Sequence, residues 1–449
     1  MRFSVLLLVW LPAASVFAQY TTTAPSGTTS NPNPIVNLAS QFFEHDYFNV
    51  FAYASGAYDS SSPVVQNNQT SNSGGFGYGV GGGINAFHSF RHGTFSLDYS
   101  GGYSNYQSSF FASGSNQSLG VGFTQRLTRR WTLSVNGAAG IWLYGAGTSF
   151  PAQPTALPNS VTNPMGTVIA NPFSPETRFA SAGVNVAYQQ TRRLSYVLGG
   201  NFGLTRYSYP GAIGTTGGGA SASVVYQVRP RTTLAGSYSY SHFVYQQNVG
   251  QASVNGVAVT ATHAFPSHWT VSLSGGISRS NASGIITVPV NFLVGTGSSQ
   301  QAIPGFVLGH YDQSTNIPTY SGSVSRSFRH SSLVFSAGEG ILGGGNGYYL
   351  TSRQAFINGY YSRTIQRRSN ISFGGAYYRL SSLANTISST YSTESFSANY
   401  GTMLMRYLGT FVRYDFVRYG SLSGTSGVHD NRISFGVNFS SKGIPMTLF

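Results

Sequence analysis

Cysteine is missing from this sequence altogether, lysine occurs once (Lys442), and charged residues of every kind make up only 8% of it. The first absence excludes disulfide staples and thiolate metal sites. The shortage of charge is hard to reconcile with a soluble chain of 449 residues, since soluble proteins give about 25% of their positions to Asp, Glu, Lys and Arg. Long apolar runs are absent too. Past the N-terminus there is no stretch of the roughly 20 apolar residues that a membrane-crossing helix needs. Nor has oil replaced the lost charge, because hydrophobic residues reach only 41%. Glycine (56), phenylalanine (31) and tyrosine (30) fill the gap, with abundant Ser, Thr and Asn. The remainder is a β-rich chain whose outer face meets something other than water.

The N-terminus carries an address. Arg2, an apolar stretch over residues 5–11 and the small-residue exit Val16-Phe17-Ala18 read as a secretory signal peptide over residues 1–18. Residues 19–47, rich in Thr, Ser, Pro and Asn, read as a flexible linker. From residue 48 to 449 the apolar period is two. In TFSLDYSGGYSNY, Phe95, Leu97, Tyr99 and Tyr103 share one face, while Thr94, Ser96, Asp98 and Ser100 share the other. In RISFGVNF, Ile433, Phe435, Val437 and Phe439 oppose Arg432, Ser434, Gly436 and Asn438. The polar face is built of small hydroxyls, amides and glycines, which suits a wetted wall.

Tight connections recur near residues 88–93, 127–131, 190–194, 228–232, 265–268, 328–332, 365–370 and 407–411. Several are basic, as in FTQRLTRRWTLSV and AYQQTRRLSYVL. Between them lie longer Gly/Ser/Pro/Asn-rich segments, notably 59–73, 146–176, 284–315 and 420–430. Eight tight turns, with one further strand at each end, give about 18 strands, with 16 as the alternative count. Short turns at one end and long loops at the other predict an all-β fold. The expected architecture is a transmembrane antiparallel β-barrel with short periplasmic turns and long extracellular loops. Trp131 and Trp269 each follow a tight turn, where an aromatic girdle forms.

On this alternation, these turns and the terminal Phe449, residues 48–449 resemble bacterial outer-membrane β-barrel proteins of the porin type. The resemblance is architectural and carries no substrate motif. It implies passive diffusion of small polar solutes or ions through a hydrated lumen, in a Gram-negative outer membrane. The partners implied are outer-membrane lipids and the barrel assembly machinery, with a homo-oligomer as a common porin state. It also implies that a long third outer loop, here around 146–176, folds inward as a constriction. Alternation assigns Asp98, Arg126, Arg413, Asp415 and Arg432 to the lumen. Arg413 and Asp415 stand two apart on one face, as a pair stiffening the wall or as a local field on permeating ions.

Enzyme readings find little support. Gly77-Tyr78-Gly79-Val80-Gly81-Gly82 matches a dinucleotide fingerprint without the helix that should follow, so a glycine stripe in a strand explains it better. The histidines lack metal-ligand spacing, and no cofactor is implied. His242 beside Ser239 and Ser241 is the one coincidence with hydrolase chemistry. No basic–aromatic module supports nucleic-acid binding, despite an isoelectric point near 9.8. The expected alternative to a channel is a non-conducting structural or adhesive barrel.

Overall fold

The computed structural model describes residues 47–60, 64–66, 69–71, 75–106, 113–143, 176–208, 213–246, 249–294, 301–328, 330–343, 351–365, 368–383, 390–420 and 428–441. The expected signal peptide and linker, most of the 146–176 loop and the terminal Phe449 lie outside them. The described strands are β1 (Tyr47–Asp59), β2 (Val64–Gln66), β3 (Gln69–Ser71), β4 (Gly75–Phe90), β5 (Gly93–Tyr106), β6 (Gly114–Arg126) and β7 (Trp131–Leu143). Then come β8 (Glu176–Gln189), β9 (Leu194–Tyr207), β10 (Thr215–Arg229), β11 (Thr232–Tyr245), β12 (Gly250–Ala264), β13 (Trp269–Val294) and β14 (Gln301–Ser327). The last are β15 (Ser331–Gly343), β16 (Thr351–Ile365), β17 (Ser369–Ser382), β18 (Thr390–Met403), β19 (Leu408–Tyr419) and β20 (Val428–Ser440).

All but β2 and β3 join one antiparallel sheet of 18 strands in chain order, and β1 pairs with both β4 and β20. The sheet therefore closes. β2 and β3 form a separate two-stranded hairpin. Closure follows from the pattern of the strands. A sheet with one apolar and one polar face, too broad to leave flat, removes its edges by curling until first and last strands meet.

Exposure shows which face is which. On β20, Ile433, Phe435, Val437 and Phe439 are exposed, whereas Arg432, Ser434, Asn438 and Ser440 are buried. The apolar face is the outside of the ring and the hydroxyl–amide face lines its inside. Neighbouring inner rows bond to each other, as in Ser100 Oγ with Ser118 Oγ at 2.6 Å and Thr262 Oγ1 with Ser272 Oγ at 3.0 Å. The abundant glycine and aromatic residues are used together. Tyr53 stands opposite Gly81, and Phe51 opposite Gly83, both pairs linking β1 to β4. A Cβ on Gly83 would lie 2.6 Å from the Phe51 ring, so the ring lies flat in the space the glycine leaves. Gly217 beneath Phe243 and Gly436 beneath Phe411 repeat the arrangement.

Two of the basic turns share one construction. In LTRRW, Thr128 Oγ1 accepts the backbone N–H groups of Arg130 and Trp131, each at 3.2 Å. In QTRRL, Thr191 Oγ1 accepts those of Arg193 at 3.2 Å and Leu194 at 3.0 Å. Threonine thus closes the turn by mimicking a backbone acceptor, and the two arginines project into the open.

Four boundaries need correction. The segment 284–315 is expected to be an irregular loop, but β13 and β14 run on through most of it and stay paired from Trp269↔Arg326 to Val294↔Gln301. β15 accompanies β14 only from Tyr320 to Ser327, and β12 accompanies β13 only to Gly284. Beyond those points the two strands pair only with each other. Pro289 and Pro304 give this stretch the look of a loop, yet proline is tolerated where a strand has lost a neighbour. The expected loop 59–73 contains the β2–β3 hairpin, β20 begins at Val428 inside the expected loop 420–430, and the turn placed at 407–411 occupies 404–407.

Replacing Gly83 with Val should press on the Tyr99 carbonyl oxygen and on the Phe51 ring, and overpacking a filled site costs about 1–3 kcal/mol. The expected result is a lower temperature for loss of folded, heat-modifiable gel mobility, whereas a valine at Gly275, where a Cβ meets nothing within 4 Å, leaves that temperature unchanged.

Candidate functional site: the lumen wall and its charged seam

The inner charges do not form one patch. Arg413 and Asp415 lie on β19, Arg432 on β20 and Asp59 at the end of β1. Register sets Arg432 directly opposite Asp415 on one side and Asp59 on the other. Arg432 Nη2 lies 3.3 Å from Asp59 Oδ2, with both side chains about 1% exposed. Arg413 donates through Nε (2.8 Å) and Nη2 (2.7 Å) to Asp415 Oδ1. The four alternate in sign across three strands and sum to zero. Buried pairs of this kind hold because each charge has a fixed counter-charge, and removing one partner is far costlier than the pair is worth.

This quartet sits on the seam where first and last strands meet. Ser440 Oγ donates to Asn49 Oδ1 at 3.1 Å, and Ser441 N donates to Val50 O at 2.8 Å, pinning the same seam at its short-turn end. Sequence alternation brings together three of the expected pore-lining residues, Arg413, Asp415 and Arg432, but misses Asp59. The signal was present: Asp59 is the last inward position of the first strand, and closure must bring it against the last.

Asp98 and Arg126 lie elsewhere. Asp98 shares an inner row with Asn85 and Asn49 across β5, β4 and β1. With its amide nitrogen turned toward the carboxylate, Asn85 donates to Asp98 Oδ1 at 3.2 Å. Arg126 ends β6 at the short-turn rim, exposed, with Nε and Nη2 donating to the carbonyls of Thr128 (3.3 Å) and Arg129 (3.1 Å). Trp131 and Trp269 point outward at that same rim. The Trp131 ring lies 4.7 Å from Tyr188, and the Arg326 guanidinium lies 4.9 Å from the Trp269 ring. His242 faces outward while Ser239 and Ser241 face inward, so the wall of β11 separates the hydroxyls from the imidazole. The lumen also holds apolar side chains: Phe243, Tyr245, Ala252 and Ala282 cluster on the inner face of β11 to β13 toward the long-loop end.

The architecture is a closed antiparallel β-barrel of 18 strands. No family model matches the sequence, and no curated protein matches it. Among solved structures, a BenF-like porin from Pseudomonas fluorescens Pf-5 is 12% identical, covering 89% of this chain and 100% of its own at a TM-score of 0.41. Pseudomonas aeruginosa OccK2 (OpdF) is also 12% identical, covering 88% and 98% at 0.42. Pseudomonas aeruginosa OpdK with vanillate is 11% identical, covering 88% and 99% at 0.42. Likeness at this level adds nothing to the strand pairing, which establishes the barrel by itself.

Arg432→Met should destabilise the barrel by about 3–5 kcal/mol, since it leaves Asp59 without its counter-charge. The double variant Arg432→Met/Asp59→Asn should recover part of that loss. Urea-unfolding midpoints of the folded barrel measure both, and equal losses in the single and double variants would show that a buried Asp59 lacking Arg432 is not the source of the cost.

Proposed function

We propose that the protein is an outer-membrane channel for passive diffusion of small polar solutes or ions. The observation that carries this reading is a closed ring of 18 strands, apolar outside and lined inside by Ser, Thr and Asn. Such a ring satisfies every strand from both sides, which a hydrocarbon surround demands, and rings of this strand number are wide enough to hold water. In this reading residues 1–18 direct export and are removed, residues 19–47 form a linker, and the short turns face the periplasm. Barrel assembly machinery inserts the chain among outer-membrane lipids, where it works as a monomer or a homo-oligomer. The charge quartet is neutral and therefore braces the wall. Selectivity then falls to inner charges outside it, Asp98 foremost. The reading assigns no cofactor and no catalytic step.

A non-conducting barrel is the second reading, and one observation favours it. Phe243, Tyr245 and Leu380 point inward yet are almost fully buried, as expected of a lumen that is partly filled.

Adding the refolded protein to a planar bilayer separates the two. The channel gives discrete conductance steps, and insertion without conductance supports the filled barrel. In a channel, Asp98→Arg should move the reversal potential in a salt gradient toward anion preference, because a pore-facing charge biases its counter-ion.

A further inference from the structure

Six arginines share a placement that neither the lumen nor the turns explain. Arg178 (β8), Arg206 (β9), Arg279 (β13), Arg353 (β16), Arg379 (β17) and Arg418 (β19) are all exposed. Each has the strand parity of outward apolar side chains on its own strand, such as Val184, Phe202, Ile277, Ile357, Phe373 and Val412. Each also lies ten to twelve residues from the short-turn end of its strand. At about 3.3 Å per residue and a tilt near 40°, that is an axial rise of about 25–30 Å. An apolar band is about 25 Å tall, so all six stand at its far edge, pointing sideways.

Three of them have acidic partners at the same level. Arg178 Nε lies 2.5 Å from Glu176, Arg353 pairs with Glu339, and Arg418 Nη1 lies 3.7 Å from Glu394. Among the described residues no carboxylate pairs with Arg206, Arg279 or Arg379. Arg206 stands directly opposite Arg178 in the register. Like charges facing across a strand pair are unfavourable, and Glu176, paired with Arg178, offsets only one of the two. Arg353 and Arg379 form a second basic patch on the adjacent strands β16 and β17, where Arg379 is opposite Ala355. Planar guanidinium forks match phosphate oxygens two at a time.

We infer that this girdle binds phosphate groups of the lipid leaflet surrounding the long-loop end, anchoring the barrel to a phosphorylated outer-leaflet glycolipid. The inference rests on the outer-membrane reading above. The test uses the full chain, refolded in zwitterionic detergent, with folding confirmed by heat-modifiable mobility. Retention of a bisphosphorylated glucosamine lipid is compared by native mass spectrometry with retention of its dephosphorylated form and with competition by inorganic phosphate. The phosphorylated lipid should be retained preferentially. Arg206→Gln/Arg379→Gln should weaken its retention about tenfold, while Arg129→Gln/Arg130→Gln in a short turn leaves it unchanged. Equal retention of both lipids by a folded barrel, or equal loss in both variants, overturns the girdle alone. Full displacement by inorganic phosphate at equal concentration overturns the lipid in favour of a free-anion site. A chain that never acquires heat-modifiable mobility overturns the membrane reading and the girdle with it.

Discussion

The closing of one hydrogen-bonded ring governs everything else in this molecule. A strand left with a free edge carries a row of unpaired N–H and C=O groups, each worth several kcal/mol where no water can reach it. With β1 bonded to both β4 and β20, that liability is gone. The demands then pass to the side chains. They must be apolar outside, small and polar inside, and complementary at the seam where the two ends of the chain meet.

Side-chain size is the less obvious demand. An inner wall crowded with large residues would leave little lumen, and one made of glycine would be floppy and poorly packed. The sequence alternates the two solutions across strands rather than along them, laying Tyr53 and Phe51 over Gly81 and Gly83. The aromatic supplies buried area and the glycine supplies room.

Much of this was legible in the sequence. Period-two alternation identifies the faces, since one misplaced residue would put Phe435 inside and Arg432 outside, and the tight basic turns set the strand count. The rest was hidden for identifiable reasons. The β13–β14 ribbon was obscured by Pro289 and Pro304, because a rule that excludes proline from central strands says little about strands with a missing neighbour. Asp59 was missed because its partner is 373 residues away, beyond any local pattern. The role of Thr128 and Thr191 was masked by the arginines beside them, which draw the eye but do less to hold the turn. The outward arginines share strands with greasy residues, so counting hydropathy along a strand averages them away.

The distance between Asp59 and Arg432 has a temporal meaning. Every hairpin from β4 to β19 joins strands that are neighbours in the sequence, so each can pair within a few dozen residues of itself whenever the barrel assembles. The seam alone needs both ends of the barrel at once, β1 and β20. Until Arg432 is in place, Asp59 carries a charge that the finished wall would bury, so an incomplete copy keeps a carboxylate that prefers water to closure. Wholeness of the gene product is thereby tested by electrostatics, at the one joint that a truncated chain cannot make.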